Sequence, residues 1–179
     1  NLEVQFRPSY NIFDGRYTNN AWLMELPDAM TKICWDNAAL MSLATMTEAG
    51  LESGDQVDLT LGGKTVRAPV WPLPGHADHT VTLSLGYGRT LGEEFHAANG
   101  AHGEASGYNA YSVRGVASHD NASGPKMSAK VGRYKIAGTQ AHRSPARRDL
   151  GRQNDPAGPP AVPGLAPAPD PLRPHANRP

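Results

Sequence analysis

Cysteine is almost absent: Cys34 is the only one among 179 residues. One thiol cannot close an internal disulfide. Nor can it supply, from this chain alone, the thiolates of a zinc finger or an iron–sulfur cluster. Between Ile33 and Trp35 it reads as a small buried hydrophobe. Long apolar runs are lacking too. The longest, from Asn37 to Met46, is broken by Ser42 and Thr45 and falls short of the ~20 residues of a membrane span. An excess of either charge is missing: 17 basic and 17 acidic residues give a net charge of +0. No global field therefore directs the chain to nucleic acid or to an anionic membrane. No signal peptide pattern is visible. The chain starts at Asn1, already in a strand-like pattern, so an upstream portion is expected.

Turn formers are abundant, with 19 glycines and 16 prolines. They are unevenly placed. The last aromatic is Tyr134, and ten of the prolines lie between Pro145 and Pro179. The expected organisation is a β domain over residues 1–136, followed by a linker and a Pro/Ala/Arg-rich tail over 137–179. Such a tail buries too little apolar surface to offset chain entropy, and disorder or polyproline-II structure is expected. Pro156/Pro159 and Pro160/Pro163 form PxxP pairs of the kind a recognition ligand carries, but a plain spacer is the favoured reading. A frame-shifted end of a GC-rich reading frame would have the same composition, and the genomic sequence decides that point.

Within 1–136 the periodicity is that of short strands. Residues 2–6 alternate and stop at Pro8. Residues 33–37 and 108–114 are strand-like, and 131–136 is a candidate last strand. Ser42 is a helix N-cap, with Gly50 at the left-handed position that ends about two turns. Residues 56–61 and 64–70 alternate around Gly62-Gly63, a hairpin signal. Residues 80–85 form another alternating strand, and 91–109 read as a loop. Short strands with one short helix predict a mainly β, closed or partly closed barrel.

Several segments carry a resemblance. A short helix is followed by Gly50-Leu51-Glu52-Ser53-Gly54-Asp55-Gln56-Val57. Then come Gly63 to Val70, Leu73-Pro74-Gly75, Gly86-Tyr87-Gly88-Arg89 and Gly107 to Tyr111. Together these resemble the C-terminal molybdopterin-dinucleotide-binding domain of the molybdopterin oxidoreductase family. The resemblance implies a double-psi β-barrel of the aspartate-decarboxylase-like kind. Asn19 to Asp28, Thr31-Lys32 and Trp35 to Leu40 are most similar to one subgroup, the molybdopterin-oxidoreductase-like iron–sulfur subunit of bacterial alternative complex III. The similarity covers residues 1 to about 144. It includes Thr139-Gln140-Ala141-His142, but Pro145-Ala146-Arg147 stands where the subgroup has Met-Glu-Gly.

In this family the cofactor is molybdopterin guanine dinucleotide. Such a ligand needs backbone amides for its pyrophosphate, side-chain amides for its bases and glycines for close approach. The candidate contacts are Asn19, Asn20, Asp36, Asn37, Gly86, Gly88, Arg89 and Asn109; the same residues could equally serve only as turn formers. The subgroup is generally regarded as lacking the molybdenum cofactor, so none is expected in this chain. The 4Fe-4S clusters belong to parts of the parent subunit beyond it.

The resemblance thus implies a structural domain of a quinol-oxidising respiratory complex. Its partners would be the other domains of the parent subunit and the subunits of a membrane-bound complex. It would sit peripherally on the periplasmic face, without nucleic acid and without membrane insertion of its own. The parent would be an oxidoreductase and this chain not itself catalytic. The alternatives are a cofactor-binding domain of an active molybdopterin oxidoreductase and a stand-alone double-psi barrel that binds a ligand. Three other features read as ordinary surface or packing: the His76-x-x-His79 pair with Asp78, the basic cluster Lys126, Lys130, Arg133 and Lys135, and Arg16, Trp22, Glu25, Trp35 and Trp71 as anchoring residues.

Overall fold

The computed structural model describes residues 1–89, 106–116 and 119–139, which belong to one compact unit, Asn1–Gln140. The expectations for the loop at 91–105 and for the tail beyond 139 lie outside the described residues. The protein is mainly β: a curled half-barrel sheet with two short helices. The strands are β1 (Glu3–Arg7), β2 (Ala39–Met41), β3 (Asp55–Leu61), β4 (Lys64–Pro72), β5 (Thr80–Ser84), β6 (Asn121–Ser123), β7 (Lys126–Met127) and β8 (Gly132–Arg133). Their order is β6-β1-β5-β2-β4-β3-β7, with β8 also paired to β3. β1 runs parallel to β5 and β2 parallel to β4. The antiparallel pair β2–β5 joins the two halves.

Alternation in the sequence decides the two faces. Val4 and Phe6 on β1, Ala39 and Met41 on β2, Val57 and Leu59 on β3, Val66, Ala68 and Val70 on β4, and Val81 and Leu83 on β5 form one buried cluster. Period-two strands put all of these on one side of the sheet. Registers agree with that: Ala39 is opposite both Val70 and Leu83, so three core residues meet across three strands. The other face carries Gln5, Arg7, Leu40, Trp71, Thr82 and Ser84, none of them in the core cluster.

The hairpin between β3 and β4 turns on Gly62 (φ 56°) and Gly63 (φ 80°), the positive pair that a two-residue turn matching strand twist requires. Helix α2 (Leu43–Glu48) is N-capped by Ser42, whose hydroxyl accepts from Thr45 N–H at 3.1 Å, and Gly50 follows its C-cap at φ 66°.

Elsewhere the structure departs from the alternation pattern. Asn20 starts helix α1 (Ala21–Glu25), accepting from Trp22 N–H and Leu23 N–H. Trp22 is not an anchor: it is 86% exposed, while Met24 is the buried residue of that helix. Residues 33–37 make only an isolated bridge, Ile33 to Gly138, because Trp35 takes a positive φ of 65° that breaks any extended run. Residues 108–114 are not a strand. Asn109 caps a 3-10 turn, Ala110–Ser112, by accepting from Tyr111 N–H at 3.0 Å, so a local side-chain bond outcompetes sheet pairing. Cys34 is buried and free, as its apolar neighbours suggest.

Two acid–base pairs hold the C-terminal strands to β3. Lys130 Nζ lies 2.7 Å from the buried carboxylate of Asp55, and Arg133 lies 3.5 Å from Glu52. The Lys130 ammonium holds the Asp55 carboxyl below the usual range. Part of the basic cluster is therefore engaged internally. Among the described residues, no helix is long and apolar enough to cross a membrane.

Candidate functional site

Segment 8–38 folds back over the outward face of the sheet. It has its own buried residues, Ile12, Met24, Ile33 and Ala38, apart from the main core. Backbone bonds tie it down: Trp35 N–H to Met24 O (2.8 Å), Cys34 N–H to Ala137 O (3.0 Å) and Thr139 N–H to Lys32 O (3.1 Å). Between this segment and the sheet lies a cleft of about 530 Å³, a size ordinary for small-molecule sites. Its floor is Leu40, Thr82 and Ser84; Ser9, Asp28 and Ile33 come from the covering segment, and Tyr87, Arg7 and His76 border it.

Two of the eight residues singled out in the sequence, Asp36 and Asn37, line this cleft; the others do not. Asn37 is 3% exposed and clamps two loops. Its Nδ2 donates to Ser84 O (2.9 Å) and Tyr108 O (3.1 Å), and its Oδ1 accepts from Tyr108 N–H (2.8 Å). Asp36 Oδ1 accepts from Gly107 N–H (3.0 Å) and from the Tyr134 hydroxyl (3.1 Å). Burial pushes the Asp36 carboxyl above its ordinary range, against the hydrogen bonds from Tyr134, Gly107 and Ala137. Burial likewise raises Tyr87, whose hydroxyl contacts Ser9 Oγ at 3.2 Å.

The remaining candidates serve the chain itself. Asn20 and Asn109 are caps. Asn19 accepts from Arg89, joining the two exposed ends of neighbouring loops. Gly86 (φ 96°) lies against residue 15: a Cβ there would sit 2.6 Å from Gly15 N. Gly88 (φ 78°) lies against the backbone of Tyr108 and Asn109 in the same way. The glycines admit close approach, as expected, but of protein backbone. Molybdopterin guanine dinucleotide does not fit these eight residues as one site. Asn37 is engaged by backbone at both ends of its amide, Asn20 and Asn109 through Oδ1, and only two of the eight face the cleft.

Several cleft residues carry no distinguishing mark in the sequence. Thr82 is 5% exposed, and its hydroxyl meets His76 Nε2 at 2.8 Å and Gln5 Oε1 at 3.5 Å. His76 Nδ1 lies 3.0 Å from Ala77 O, a carbonyl that can only accept, so this ring nitrogen donates. His79 instead faces Glu48 at 3.7 Å, so the His76-x-x-His79 spacing does not converge. Among the described residues no group of three His, Cys, Asp or Glu is arranged to hold a metal. The chain matches no family model and no curated relative.

The Asp36 environment makes a testable statement about pH. A carboxyl whose folded pKa is raised binds its proton more tightly in the folded state. Stability is then highest below the unfolded value of about 4 and falls as pH rises through the folded value. Asp36→Asn removes this titration. In urea unfolding at pH 4, 5.5 and 7, the variant's stability relative to wild type should climb with pH. A difference that stays constant across that range would show that Asp36 does not titrate there.

Proposed function

We propose that the chain is part of a respiratory molybdopterin-oxidoreductase-like subunit. In this reading it is a double-psi β-barrel that serves as a structural domain of a quinol-oxidising complex, peripheral on the periplasmic face of the bacterial inner membrane. Electrons would pass through clusters held elsewhere in the parent subunit. The observation that carries the reading is the engagement of the dinucleotide-type residues by the chain's own backbone. Asn37 uses both ends of its amide as a loop clamp, and Gly86 and Gly88 are filled by neighbouring backbone. A barrel built this way retains the family's residues as architecture. The double-psi assignment is supported by the two parallel pairs, β1–β5 and β2–β4, set among antiparallel neighbours.

The test uses the intact complex purified through the parent subunit. Metal analysis should return iron without stoichiometric molybdenum, together with quinol-dependent electron transfer. One molybdenum per copy of this chain would overturn the structural-domain reading in favour of an active cofactor domain. A preparation without other respiratory subunits would overturn the assignment to a complex.

A further inference from the structure

We propose that the cleft beneath segment 8–38 binds a small amphipathic monoanion, a carboxylate carried on an apolar, ring-sized body, with Arg7 as the anchor. Arg7 ends β1 on the outward face of the sheet, beside Ser84 in the β1–β5 register, and its side chain is exposed. Among the described residues its guanidinium makes no hydrogen bond and no ion pair, in contrast to Arg16, Arg67 and Arg114.

Each of the two cleft carboxylates is engaged through one oxygen, Oδ1. Asp28 Oδ1 accepts from Met30 N–H (3.0 Å), Thr31 N–H (2.8 Å) and the Thr31 hydroxyl (2.9 Å). Asp36 Oδ1 is held by Gly107 and Tyr134. An unengaged guanidinium presents a planar pair of donors that suits one carboxylate. A doubly charged phosphate would face the same cation with two acids nearby, and like-charge repulsion selects against it.

The walls specify the rest of the ligand. Leu40, Leu73 and Ile33 supply aliphatic surface, and Tyr87 supplies an aromatic one. The Tyr87 hydroxyl is turned to Ser9. The polar part of the floor includes Thr82, whose hydroxyl lies 2.8 Å from His76 Nε2. This is the composition of a small-molecule site, largely apolar with a few oriented polar groups.

The experiment is a titration of the full isotope-labelled chain with 4-phenylbutyrate and with its cationic counterpart 4-phenylbutylamine, followed by amide chemical shifts. The carboxylate should bind at least tenfold more tightly than the amine, with shifts centred on Arg7, Leu40, Thr82 and Tyr87. Arg7→Gln should abolish that preference while the rest of the spectrum stays unchanged. Equal affinity for the two probes, shifts centred away from the cleft, or a preference that survives Arg7→Gln would overturn the proposal. So would the absence of carboxylate binding up to millimolar concentration.

Discussion

Replacing Gly88 by alanine should destabilise the protein by about 3 kcal/mol or more, seen as a large fall in the urea midpoint. Two effects combine. The residue sits at φ 78°, where any L side chain is strained by about 1 kcal/mol. The added methyl would also lie 2.7 Å from Tyr108 C and 2.8 Å from Asn109 Cα, and closer still to Asn109 N. Those are backbone atoms, which cannot swing aside. Relief requires the 106–109 loop to move, and that would break the bond from Gly88 N–H to Ser106 O. Gly50 is the control. It has a similar φ of 66° but open space around its Cβ direction, so Gly50→Ala should cost only about 1 kcal/mol. Equal costs at the two positions would show that close packing at Gly88 contributes nothing.

Asn37→Ala should cost about 3–5 kcal/mol, a large share of the 5–15 kcal/mol that stabilises a typical domain. The side chain is buried and makes three hydrogen bonds to the backbone of Ser84 and Tyr108. Its removal leaves two carbonyls and one N–H short of a partner, each worth about 1–3 kcal/mol when buried, with less than full additivity. Asn37→Asp separates hydrogen bonding from volume. At neutral pH a carboxylate would keep the acceptor for Tyr108 N–H but face two carbonyl oxygens without a donor. At low pH the protonated acid regains one donor. The variant should therefore lose less stability at pH 4 than at pH 7 relative to wild type. A loss independent of pH would mean that the position matters through volume alone.

Both positions link the region around Ser84 with the turn before Ala110, and both are of the residue types that contact a dinucleotide. Residue type states the chemistry each offers: glycine permits close approach, and an amide pairs a donor with an acceptor. The partner was not readable. A dinucleotide and a neighbouring loop make the same demands on an amide, and nothing local in Asn37 or Gly88 tells which will meet them. Asn20 and Asn109 repeat the lesson at smaller scale, since each caps a turn through its own side chain.

The cleft residues were hidden for a different reason. Arg7, Thr82 and Ser84 are polar residues on the outward side of alternating strands, the default for any half-buried sheet. What makes them a site is segment 8–38 folding over them, and that contact brings β5 against residues far from it along the chain. Segment 8–38 itself has little periodicity. Its shape depends on positive-φ residues such as Lys32 and Trp35 and on backbone bonds to 137–139.

By itself the sequence determined the elements whose signals are local. The β3–β4 hairpin follows from Gly62-Gly63 between two alternating runs, α2 follows from Ser42 and Gly50, and the buried faces of β1, β3, β4 and β5 follow from period-two spacing. Tertiary structure alone decided the parallel pairing of β1 with β5 and of β2 with β4, the turn at Ala110–Ser112, and the cleft. Each of these depends on which distant backbone groups meet a donor or an acceptor. A hydrogen-bonding side chain states that it needs a partner, and the fold determines which partner it finds.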